Sequence, residues 1–112
     1  MNVPIDIPHH EAGSGLRDLV QARAQRVLGR LARRVSRIAV AVREHAHPQG
    51  SLVNVCTLRV RLAGSSDVVV ETLRPGQEAA VTAALRRARR EILRRRRALP
   101  RVPGLVAGPS PA

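Results

Sequence analysis

The sequence has no Phe, Tyr or Trp, no Lys, and one Cys, Cys56, in 112 residues. Each absence excludes something. Without rings the chain cannot stack unpaired bases, which is how RRM and OB-fold sheets hold single-stranded nucleic acid. One cysteine excludes an internal disulfide and fits a reducing compartment. No stretch approaches the ~20 continuous apolar residues of a membrane span. Met1-Asn2-Val3-Pro4 lacks the basic region and apolar run of a secretory signal, so the expected location is cytoplasmic. The length allows one domain, since domains take about 100–150 residues, and excludes a two-domain enzyme.

What the chain has is arginine. All 20 basic residues are Arg, against 8 acids, for a net charge of +12. A composition poor in Lys, Phe, Tyr and Asn and rich in Ala, Arg, Gly and Pro is that of GC-rich coding, which accounts for Arg over Lys. It does not account for the excess of base over acid. That excess points to a polyanion, nucleic acid first and an anionic membrane surface second.

The hydrophobic pattern predicts a β-α-β-β-β-α order. Val3, Ile5 and Ile7 alternate and stop at Pro8, a short edge strand. Ser14 is a good N-cap, and Leu16, Leu19, Val20, Ala24, Val27, Leu28, Leu31 and Val35 form one face of a helix over residues 15–34. Ile38, Val40 and Val42 alternate in a second strand ending before His47-Pro48-Gln49-Gly50. Residues 52–62 repeat the pattern with Cys56, Leu58, Val60 and Leu62 on one face. Ala63-Gly64-Ser65-Ser66-Asp67 is hairpin-turn chemistry before a fourth strand, residues 68–73.

Val81, Ala84, Leu85, Ala88 and Ile92 line the inner face of a second helix, residues 78–99, stopped by Pro100. The predicted architecture is a two-layer α+β domain over residues 1–99. A four-stranded sheet carries both helices on one face, and a Pro/Gly-rich disordered tail follows over residues 100–112.

On a helical wheel Arg23, Arg26, Arg30 and Arg33 lie along one flank of the first helix. Arg86, Arg90, Arg94 and Arg97 form a row opposite the core face of the second, with Arg87 beside them. From Arg86 to Arg101 there are nine Arg and a single acid, Glu91. Like charges at i, i+4 destabilise an isolated helix by a few tenths of a kcal/mol per pair, roughly, and an ordinary solvated face mixes signs to avoid this.

The rows therefore read as a surface for phosphates, gripped by guanidinium forks in a salt-sensitive, sequence-independent way. A folded RNA suits it better than a specific DNA site, because neither helix carries a mixed Asn, Gln and Arg face for base-edge readout. Arg59 and Arg61, on the open sheet face, are secondary candidates. So are Arg95 and Arg96, which would point coreward if the sheet still lay beneath them; the helix end is therefore expected to project past the sheet as a basic finger.

Two other chemistries are outweighed. His9, His10, His45 and His47 gather at one end of the sheet if the first two strands are parallel, a grouping that suits Zn²⁺ or Ni²⁺. Loop histidines with no Cys or acid partner at fixed spacing are ordinarily just loop residues, so no metal and no cofactor is assigned. Cys56 sits in a core alternation, and Asp6, Glu44, Asp67 and Glu71 scatter at strand edges without motif spacing, so no catalytic residue is assigned. A membrane-surface helix would need large apolar residues where Ala84 and Ala88 stand. A general RNA-binding or transcription-modulating basic protein shares the charge argument and stays open.

Three stretches carry a family resemblance: Leu16-Arg17-Asp18-Leu19-Val20, Cys56-Thr57-Leu58-Arg59-Val60, and Gly76-Gln77-Glu78 leading into Ala79-Ala80-Val81 and Leu85. Together with the element order they make residues 3–99 resemble the ribosome hibernation-promoting factor family, also called the ribosome-associated inhibitor or sigma-54 modulation protein family.

The resemblance implies a fold like a double-stranded-RNA-binding domain. It further implies binding to the small ribosomal subunit and its ribosomal RNA in the messenger and transfer RNA channel, and silencing of translation in starvation or stationary phase. By position it implies Arg23, Arg26, Arg30 and Arg33, with Arg86, Arg87, Arg90 and Arg94, as the RNA contacts, and neither a small-molecule substrate nor a membrane as partner. Two departures stand out. The aromatic or bulky pair usual between the acid and the Ala-Ala step is missing before Ala79, and the Pro/Gly tail stands where longer members carry a ribosome-pairing domain, so pairing of ribosomes through such a domain is not expected.

Overall fold

The computed structural model describes residues 3–8, 15–46 and 48–98, with the side chains of residues 96–98 excepted. The elements are β1 (Ile5–Asp6), α1 (Leu16–Leu28), a 3₁₀ segment (Gly29–Arg34), β2 (Val35–Ala46), β3 (Leu52–Leu62), β4 (Val68–Arg74) and α2 (Gln77–Ala98). The strands form one sheet in the order β1-β2-β3-β4. β1 runs parallel to β2, and the other pairs are antiparallel. This is the predicted α+β architecture.

The sheet alternates as its sequence does. Ile38, Val40, Val42, Cys56, Leu58, Val60, Val68 and Val70 are buried against the helices, while their neighbours Ala39, Thr57, Arg59, Val69 and Glu71 face the other way and keep some or most of their surface in water. From α1 come Leu16, Val20, Ala24 and Leu28, and from α2 Ala80, Val81, Ala84, Leu85, Ala88 and Ile92, each at most 1 % exposed. Four of these are alanines, so the helices lie close to a core built without rings. Each larger aliphatic side chain contributes roughly 1.5–3 kcal/mol on burial. Thr72, the one buried polar residue among those described, donates its hydroxyl to the carbonyl of Ala80 at 2.8 Å and ties β4 to the first turn of α2.

The predicted first helix is corrected in two places. Its α-helical part ends at Leu28, and Gly29–Arg34 wind as 3₁₀. Val35, read as helical from its spacing, is the first residue of β2. Leu28 and Leu31 are three apart and lie on one side of either helix type, so the apolar pattern passes through the change without marking it. Gly29, a poor helix former, sits where the winding tightens. The N-cap is Gly15, at φ +78° with no side-chain cap; Ser14 lies outside the described residues. Gly64, at φ +76°, makes the β3–β4 turn in a conformation that favours glycine.

β1 is shorter than the predicted residues 3–7, and side chains reinforce it. Arg17 donates to the carbonyl of Ile5 at 2.7 Å, and Arg37 forks onto the Asp6 carboxylate at 2.6 and 2.8 Å.

Candidate nucleic-acid interface

The arginines of the two helices fall into two populations. Arg26, Arg30 and Arg33 are exposed, and none has a hydrogen bond or ion pair among the described residues. The last two lie in the 3₁₀ segment, where residues three apart eclipse, so they stack along one edge rather than continuing the α-helical flank. Arg23 is different. It is half-buried and paired with Glu78 at the start of α2, so it joins the helices as well as adding charge. That pairing employs the acid of the Gly76-Gln77-Glu78 turn.

Along α2 the single predicted row divides. Arg86, Arg89 and Arg90 turn toward α1 and, with Arg26 and Val27, line an interhelical cleft of about 510 Å³. Among the described residues no carboxylate lines it, and none of its four arginines has a partner. Arg87, Arg94 and Arg95 turn toward β4 and, with Arg90, Glu91 and residues 68–70, line a second cleft of about 590 Å³.

In the second cleft three of the four guanidiniums are already engaged. Arg87 donates to the Glu71 carbonyl at 2.9 Å, and Arg94 pairs with Glu91. Arg95 donates to the Ser66 carbonyl at 2.6 Å, to the Ser66 hydroxyl at 3.2 Å and to Glu91 at 3.2 Å. The hydrogen bond from Arg94, with a further one from Arg95, holds the Glu91 carboxyl below its ordinary pKa.

This corrects the projecting basic finger at Arg95. The β3–β4 turn still lies beneath α2 there, and Arg95 uses its coreward direction to clasp that turn. Arg96 and Arg97 belong to α2, but their side chains lie outside the described residues. Arg89 is the residue the sequence reading missed. At 100° per residue it stands roughly 60° from Arg86 on the Leu85 side, the flank that meets α1.

On the open sheet face Arg59 pairs with Asp67 at 3.2 Å, and Arg61 is exposed directly opposite Arg37. His45 is exposed on β2, while His9, His10 and His47 lie outside the described residues. Among the described residues no three metal-ligating side chains come together, and none of their helices is long and apolar enough to cross a membrane. Cys56 is fully buried in the core. The candidate carboxylates do not converge, Asp6 being held by Arg37 and Asp67 by Arg59.

No family model matches the sequence, and no curated protein does. Solved structures do. The N-terminal domain of Protein Y from Thermus thermophilus is 23 % identical, with a TM-score of 0.54, over 84 % of this chain and 98 % of that one. A ribosomal subunit interface protein from Coxiella burnetii is 13 % identical, with a TM-score of 0.64, over 87 % of this chain and 99 % of that one. The chain has the fold of a ribosomal subunit interface protein. Both likenesses extend over nearly the whole length of the solved chains.

Proposed function

We propose that the chain is a ribosome-associated translation inhibitor, a hibernation factor that binds ribosomal RNA of the small subunit through its helical layer. The contacts are Arg23, Arg26, Arg30 and Arg33 on the first helical stretch and Arg86, Arg87, Arg90, Arg94 and Arg97 on α2. Residues 1–99 form the ribosome-binding domain and residues 100–112 its tail. It acts in the cytoplasm in stationary phase or stress, by occupancy and not by catalysis. The observation that carries this reading is the set of arginines without a partner among the described residues, on the helical layer of a fold shared with a ribosomal subunit interface protein. Phosphates are what such a surface can hold, because it has no ring to stack a base.

Sedimentation of cell lysate through sucrose tests it. The protein is expected to travel with small subunits or whole ribosomes at low salt and to be stripped by high salt. Four arginines on four phosphates imply a loss of affinity of about 100-fold between ~50 and ~200 mM salt. Protein left at the top of the low-salt gradient overturns the reading. Equal affinity for any structured RNA favours the general RNA-binding alternative.

A further inference from the structure

The cleft between α1 and α2 is distinguished by the density of its unopposed charge. Arg26 approaches from α1, Arg86, Arg89 and Arg90 from α2, and Val27 provides an apolar floor. All four arginines are exposed and lack partners among the described residues. The neighbouring cleft against β4 has as many arginines, but Glu91 and the carbonyls of Glu71 and Ser66 already occupy three of them. A nucleic-acid backbone brings one charge per nucleotide, so opposing four guanidiniums takes four nucleotides, whereas a chain of linked phosphates packs the same charge into one short ligand. Linear tripolyphosphate carries about four negative charges over a few bonds, one for each guanidinium.

We propose that this cleft is a binding site for a short chain of linked phosphates, as in tripolyphosphate or the phosphate tail of a nucleotide. Recognition stops at the phosphates, because the chain has no ring to stack a base and the described lining offers no Asn, Gln or carboxylate to read its edge. The bound chain is a ligand and not a substrate. It occupies Arg26, Arg86 and Arg90, which the ribosomal reading also uses, so it competes with RNA for the helical layer. The site itself does not depend on that reading.

Isothermal titration calorimetry of the full chain at constant ionic strength tests the proposal. Tripolyphosphate is expected to bind saturably, at least tenfold more tightly than inorganic phosphate. A nucleoside triphosphate should match it within about threefold, both arms measured without divalent cations. Arg26→Gln combined with Arg89→Gln should weaken tripolyphosphate about tenfold or more. Arg43→Gln combined with Arg74→Gln, which removes the same charge elsewhere, should change it less than threefold, with circular dichroism confirming that both variants are folded.

Absence of saturation, or equal losses in the two double variants, overturns the site. A nucleotide more than tenfold tighter than tripolyphosphate overturns recognition by phosphate alone. Tripolyphosphate binding without ribosome sedimentation overturns only the function proposed above, and sedimentation without tripolyphosphate binding overturns only this site.

Discussion

The two flanks of α2 present arginine in opposite states. Toward α1, Arg86, Arg89 and Arg90 share a cleft with Arg26 and are bonded to nothing among the described residues. Toward β4, Arg87, Arg94 and Arg95 are tied to Glu71, Glu91 and Ser66. One helix thus leaves its arginines free on one side, where the proposed recognition would take place, and uses the same side chain for construction on the other. Arg95, whose donors are taken by carbonyls, a hydroxyl and a carboxylate at fixed positions, has little left for a phosphate, whereas Arg87 and Arg94 each give one bond and keep their other donors.

Charge reversal on the free flank is the strongest way to break this comparison. Arg86→Glu with Arg90→Glu should lower affinity for ribosomes by at least about 100-fold in sedimentation and abolish inhibition of a cell-free translation reaction. The circular-dichroism spectrum and melting temperature should stay nearly unchanged. Full inhibition by the double variant would place the binding surface elsewhere.

The engaged flank should respond in stability. Arg95→Ala removes charged hydrogen bonds to the β3–β4 turn and should cost about 1–2 kcal/mol in urea denaturation, against under about 0.5 kcal/mol for Arg86→Ala. Equal costs would erase the distinction between the flanks.

The smallest effect sharpens the same contrast. Because the Glu91 carboxyl titrates below its ordinary value in the folded chain, its pairing stabilises fully above the ordinary carboxylate range and is lost as pH falls through the lowered value. Wild type should melt slightly above Glu91→Gln at neutral pH, and the gap should close in acid. A gap that widens in acid would contradict the assignment.

Much of this was legible in the sequence because burial imposes a period. Ile38, Val40 and Val42, or Ala84, Leu85, Ala88 and Ile92, face inward for reasons local to their own strand or helix, and all are buried. The change to 3₁₀ at Gly29 was hidden because Leu28 and Leu31 satisfy both windings. Arg95 was harder for a different reason. Its position on the wheel is the same whether it projects or clasps, and only the placement of the Ser66 turn, set by the β3–β4 register, decides between them. Arg89 needed knowledge of which flank α1 occupies, which the packing of two helices supplies and neither helix alone contains.

The division of charge between layers has a consequence before any contact is made. On the open sheet face the four arginines of β2 and β3 are met by Asp6, Asp67 and Glu71, two of them in ion pairs. The helical layer has only Asp18, Glu78 and Glu91 against all the arginines of α1, the 3₁₀ segment and α2. The molecule is therefore an electric dipole as well as a cation. In the field of a large polyanion it feels a torque that turns the helices forward while the partners are still apart. With the helical layer as the proposed RNA-binding face, encounters at low ionic strength would begin in the productive orientation, and added salt would erase this advantage over distances beyond the Debye length of about 8–10 Å.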